Sequence, residues 1–128
     1  MGDKLRAKTN KKHFTFLTRR APYGSGNAQL CLDMVLACSI YDQDVSYVFL
    51  EDGVFQLLND QQADSISNKT LGKALETLEL YGVEKVYVSA KSMTQRGLTP
   101  DDLILPVEQI STEVLSQLIN QSNCVFNL

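Results

Sequence analysis

The spacing of apolar residues changes period several times along the chain, and each change predicts an element. "HFTFLTR" (13–19) is rich in β-formers and reads as a strand. "PYGSG" (22–26) is turn chemistry. From Asn27 to Tyr41, Ala28, Cys31, Leu32, Val35, Leu36 and Ile40 fall on one helical stripe. "VSYVFL" (45–50) is almost continuously apolar, the pattern of a strand covered on both faces. Asp52 and Gly53 interrupt it, and "VFQLL" (54–58) follows as a short apolar turn or helix.

A polar loop over 59–67 leads to a helix beginning near Asn68, with Leu71, Ala74, Leu75 and Leu78 on one face and Gly82 as its stop. "EKVYVSA" (84–90) predicts a buried strand running into a loop. "TPDD" (99–102) has the Thr, Pro and acids of a helix start. "LILPV" (103–107) predicts a short strand, with Pro106 arguing for an edge or a strand end. A helix capped by Ser111 or Thr112 carries Val114, Leu115, Leu118 and Ile119, and "CVFNL" (124–128) closes as a strand. Alternation of this kind implies an α/β fold: a single domain with a mostly parallel five-stranded sheet and helices on both faces, flavodoxin/Rossmann-like.

Composition changes this picture little. The chain has 128 residues, 44% hydrophobic and 21% charged, ordinary for a soluble domain. No apolar run nears the ~18 residues of a membrane span. The first apolar cluster, "FTFL" (14–17), is too short for a signal-peptide core, so a cytoplasmic location is expected. Charge is more informative. Residues 1–12 carry five basic groups and one acid, a net +4, against −7 for the remainder. Such an arm lacks apolar residues to pack and is predicted disordered, leaving 13–128 as the folded domain. RNA phosphates are one partner for it; a solvated terminus is favoured, because no aromatics interleave the charges.

Three groups of residues are candidates for chemistry. The first is the loop "RRAPYGSGN", where doubly wound folds bind phosphate and Arg19 and Arg20 could add charge. Gln29 stands where a dinucleotide fingerprint needs its third glycine, and no P-loop Gly-Lys-Ser/Thr is present. A turn needing positive φ is the favoured reading. The second group is the cysteines, Cys31, Cys38 and Cys124: odd in number, widely spaced, without a C-x-x-C pair or a basic neighbour. They read as small buried hydrophobes, Cys124 included. The third is Ser89, at the carboxyl end of a strand. A nucleophilic serine needs a base; the only histidine, His13, opens the first strand and lies at the opposite end of a parallel sheet. Lys91 is near, but no oxyanion hole or G-x-S-x-G is evident.

Read together, "DGVFQLL" (52–58) after a buried strand, "AP-x-G" (21–24) before the first helix and "RGL" (96–98) after the third strand resemble the DsrE/DsrF group, and within it the TusC/DsrF type of subunit. The resemblance covers residue 13 to the C-terminus, making 13–128 a DsrE/DsrF-like domain; the basic arm departs from the family pattern. It implies a cytoplasmic sulfur-relay heterohexamer with TusD/DsrE-like and TusB/DsrH-like siblings, passing persulfide sulfur toward 2-thiolation of the tRNA wobble uridine or serving sulfur oxidation. The sulfur-carrying cysteine of the DsrE-like sibling corresponds to about Ser89. A hydroxyl cannot hold sulfane sulfur as a thiolate does, so this chain is expected to be non-catalytic, with no cofactor and no metal. A stand-alone flavodoxin-like phosphate or flavin binder is the alternative. Val54, Phe55, Leu57 and Leu58, too many apolar residues for one short turn to hide, are expected at a subunit interface; the competing reading is a loop plug closing the core.

Overall fold

The structure is a computed structural model describing residues 12–22, 26–58 and 73–128. Five strands form one sheet: β1 (His13–Thr18), β2 (Asp44–Phe49), β3 (Lys85–Ser89), β4 (Glu108–Ile110) and β5 (Cys124–Asn127). Their order is β4-β3-β2-β1-β5, and every pairing is parallel. The α/β expectation holds. Alternation along each strand sorts side chains between two layers. Phe16, Tyr47, Phe49, Val86 and Val88 face the larger core under helix α1 (Asn27–Ile40), whose Ala28, Cys31, Leu32 and Val35 are buried. Leu17, Val48, Leu50 and Ile110 face the other side, where Leu115, Leu118 and Ile119 of α3 (Thr112–Gln121) pack on them.

Several details differ from the sequence reading. The strand expected at 103–107 lies instead at Glu108–Ile110. Pro106 has no N–H for a ladder, and Leu103, Leu105 and Val107 pack against the core while Leu103 bridges Leu58 antiparallel. Ser89 is followed by a short helix, α2 (Ala90–Gln95), rather than a loop. Ile40 is exposed at the last turn of α1, Val114 is exposed on α3, and Cys124 is exposed because β5 is an edge strand, not core. The helix expected from Asn68 is described only from residue 73; it is helical over 73–76 and continues as a 3-10 turn, Leu78–Tyr81, stopped by Gly82 at φ +79° as expected. Residues 1–11 of the basic arm, and Tyr23, Gly24 and Ser25 of the glycine loop, lie outside the described residues. Gly26 has φ −87°, so the positive φ expected of that turn is not needed there.

The turn after β2 is a 3-10 helix, Glu51–Leu57. It passes so close beneath the end of β1 that a Cβ on Gly53 would sit 2.1 Å from the carbonyl oxygen of Thr18. Backbone cannot yield there as a flexible side chain would. Gly53→Ala is therefore expected to cost on the order of 2–3 kcal/mol in urea unfolding, whereas Gly26→Ala, with no atom within 4 Å of its Cβ, should be far milder.

Candidate functional site

Open parallel sheets present loops for chemistry at the carboxyl ends of their strands. Here that edge is built by Thr18, Arg19 and Arg20 after β1, the Glu51–Leu57 turn after β2, Ser89 and α2 after β3, and Asn127 at the end of β5. The "DGVFQLL" and "RGL" motifs meet on it, and Ala21 and Pro22 of "AP-x-G" follow directly from it.

"DGVFQLL" acts as a clamp. Asp52 accepts from Nε and Nη2 of Arg96 at 3.2 and 3.0 Å, tying this turn to the "RGL" motif after α2. Gly97 takes φ +68° to end α2, and Leu98 packs on the core. Gln56, buried in the middle of the apolar run, donates from Nε2 to Thr18 Oγ1 and to the carbonyl of Arg20, both at 2.8 Å. It holds the chain where the "AP-x-G" segment leaves β1. Glu51 adopts φ +53°, its N–H donates to Ser92 Oγ at 2.8 Å, and its carboxylate pairs with Arg19. Arg19 also donates from Nε to Asn127 Oδ1 at 2.6 Å. These two contacts engage the guanidinium expected to serve a phosphate loop.

Ser89 is the N-cap of α2: its Oγ accepts from the Ser92 N–H at 3.1 Å. That bond caps the first turn of the helix. His13 lies at the other end of the sheet, hydrogen-bonded through Nε2 to Ser46 Oγ at 2.8 Å. By strand register it stands roughly six residues, or about 20 Å, below Ser89. Lys91 is exposed on the first turn of α2. No Ser-His pair forms.

The three thiols sit in different surroundings. Cys31 is fully buried, and burial pushes its thiol up to about 12, only partly offset by a hydrogen bond with Thr18. Cys38 is half-buried and burial raises it also. Cys124 is exposed, but it opens β5 beside Phe14, at the amino end of the sheet. Among the described residues, no accessible thiol stands at the carboxyl edge and no cluster of His, Cys, Asp and Glu could hold a metal ion.

Of the four apolar residues expected at an interface, Val54 and Leu57 are fully buried in this chain's own core. For these two the turn is a plug: its 3-10 period points them into the core, where the turn lies against α2 and β3. Phe55 and Leu58 remain half-buried at the surface. Sequence reasoning missed Gln56, Ser92, Glu51 and Asn127. Only Gln56, a lone amide within an apolar run, left a signal in the sequence.

A model of the DsrE/DsrF-like family matches residues 12–128. The chain belongs to the DsrE/DsrF-like family. Among its relatives, the intracellular sulfur oxidation protein DsrF of Allochromatium vinosum is 38% identical, over 91% of this chain and 96% of that protein. The TusC homolog of Vibrio vulnificus is 40% identical, over 84% and 92%. The TusC homolog of Pseudomonas aeruginosa is 35% identical, over 88% and 94%. The crystal structure of ychN protein from E. coli superposes with a TM-score of 0.78 at 23% identity, over 91% of this chain and 99% of that one, a likeness of fold. No helix among the described residues is long and apolar enough to cross a membrane.

Two outcomes test this description of the family member. With dilute native protein, a thiol reagent should modify Cys124 rapidly and leave Cys31 unreacted until denaturant is added. Stability should also fall as pH rises. The Cys31 thiol is raised in the fold, so above its ordinary value of 9.0 the unfolded chain loses a proton that the folded chain keeps. Cys31's share of the decline should approach about 1.4 kcal/mol per pH unit between pH 9 and about 12, with Cys38 and Tyr47 adding to it in the same direction; measured by urea titration, the slope should be shallower in Cys31→Ala.

Proposed function

We propose that this chain is a non-catalytic subunit of a cytoplasmic sulfur-relay complex, assembled with TusD/DsrE-like and TusB/DsrH-like siblings as a heterohexamer. The complex passes persulfide sulfur toward 2-thiolation of the tRNA wobble uridine, with the sibling's cysteine carrying the sulfur. One observation supports this most: the position after β3 holds a serine whose hydroxyl caps α2, with no accessible thiol beside it among the described residues. Persulfide relay proceeds by thiolate attack on the donor's terminal sulfur, and a capping hydroxyl offers no such nucleophile. The kinship with the sulfur oxidation protein DsrF favours a second reading, the same kind of complex serving dissimilatory sulfur oxidation. The free phosphate or flavin binder loses support from Arg19, whose guanidinium is engaged by Glu51 and Asn127.

Co-expression with the two siblings, followed by transfer of labelled sulfur from a cysteine desulfurase, tests the proposal. Ser89→Ala should cost about 1 kcal/mol through the lost cap and leave the transfer rate of the assembled complex unchanged. A persulfide on any cysteine of this chain, formed in turnover and required for it, overturns the non-catalytic role. Mass spectrometry of tRNA from a deletion strain separates the pathways: loss of 2-thiouridine supports thiolation, and its retention supports sulfur oxidation.

The contact surface is proposed at Phe55 and Leu58, an aromatic and a leucine half-buried beside the carboxyl edge. Phe55→Asp should weaken the complex at least tenfold by sedimentation while the circular dichroism of the isolated chain stays unchanged. Full-strength assembly would place the interface elsewhere.

A further inference from the structure

The sheet has two outer strands, and they are guarded very differently. β5 pairs with β1 on its inner side and has no strand on its outer side among the described residues. Leu128 reveals which backbone groups face inward: its N–H donates to the Leu17 carbonyl at 2.9 Å, and its own carbonyl accepts from the Arg19 N–H at 3.2 Å. In a parallel ladder a residue turns both groups to one neighbour, and the pleat turns the next residue's groups the other way. Phe126 therefore shares the inward direction of Leu128. Val125 and Asn127 present their N–H and carbonyl groups to the open edge.

Such an edge is a template for another strand unless charge, proline or a bulge blunts it. β4, the opposite edge, is blunted: it is three residues long, contains Glu108 and follows Pro106. β5 reads Cys-Val-Phe-Asn, with no charge, no proline and no break in its register with β1. Val125 is 39% exposed and Cys124 is exposed beside it. The geometry of the edge specifies an extended strand as its occupant. The absence of charge means that an identical strand meets no like-charge repulsion.

We propose that β5 pairs antiparallel with β5 of a second copy of this chain, across a two-fold axis at Phe126, joining two five-stranded sheets into one. In this register Val125 lies opposite the partner's Asn127, and the two residues exchange N–H···O bonds in both directions. The two-fold repeats the exchange, so all the outward groups of both strands are satisfied. Phe126 meets the partner's Phe126 at a non-hydrogen-bonded position, where opposed Cα atoms are about 4.5 Å apart. That extends an aromatic group already present: Phe126 stacks on Phe16 with centroids 4.9 Å apart and touches Phe14 at 6.1 Å. Cys124 falls opposite the partner's Leu128. This inference does not depend on the sulfur-relay reading.

The test uses the full chain alone, without siblings. Light scattering at about 100 µM, a concentration that populates even micromolar dimers, should give twice the 14.3 kDa of one chain. Val125→Lys, which installs the charge that β4 has and β5 lacks, should weaken the dimer at least tenfold with an unchanged circular dichroism spectrum. Glu108→Lys on the other edge should leave it intact. A second measurement needs no variant: labelling of Cys124 should speed up when the wild-type chain is diluted from about 100 µM to about 1 µM, because dissociation uncovers it. Oxidation of Leu128→Cys should join two chains through the native Cys124, reporting the register. A monomer at about 100 µM, a Val125→Lys dimer as tight as wild type, or Cys124 labelling independent of concentration would each overturn the proposal.

Discussion

Only a hydrogen atom fits between Cα of residue 53 and the carbonyl of Thr18. Because Gly53 permits that approach, the turn after β2 lies against the end of β1, and the rest of the carboxyl edge follows from it. Val54 and Leu57 then point into the core, and Gln56 reaches Thr18 and Arg20. Asp52 is left outward, within reach of Arg96. A buried amide bonded to a strand end and to a loop carbonyl restricts where that loop can go, since breaking it would strand polar groups away from water. The turn from Asp52 to Leu57 thus couples β1, β2 and α2.

The consequence for chemistry is an edge organised for rigidity. Many of its polar side chains bond one another: Arg19 with Glu51 and Asn127, Arg96 with Asp52, Ser92 with the Glu51 backbone, Ser89 with the Ser92 backbone, while the buried Oε1 of Gln56 has no hydrogen-bond partner among the described residues. A reactive site needs a group left incompletely satisfied until substrate arrives, with a neighbour that shifts its pKa. The groups with raised pKa values, Cys31, Cys38 and Tyr47, owe them chiefly to burial rather than to a charged neighbour in a cleft.

The two layers of the fold are unequal. Beneath α1, the sheet meets a deep core with fully buried Phe16, Tyr47, Phe49, Leu32 and Leu57. Beneath α3 the cover among the described residues is a single amphipathic helix, none of whose residues is fully buried. A chain that invests its apolar area on one side depends less on the other for its own stability, leaving edges and thinly covered faces to contacts with other chains.

Much of this was legible in the sequence. Parallel strands announce themselves by continuous β-branched runs such as "VSYVFL", because both faces are covered. Gly82 and the Thr99-Pro100 start followed from backbone chemistry that acts within a few residues. The family motif was visible for the same reason, being short and contiguous. What needed tertiary structure was every property that depends on a distant neighbour. Whether Val54 and Phe55 face inward or outward is set by a 3-10 period in a turn held against the end of β1, a strand distant in sequence. Cys124 looks buried among Val125 and Phe126 until strand order makes β5 an edge. Ser89 could be read locally as chemistry or as punctuation; only the fold shows the N–H of Ser92 brought to its hydroxyl when the chain turns into α2.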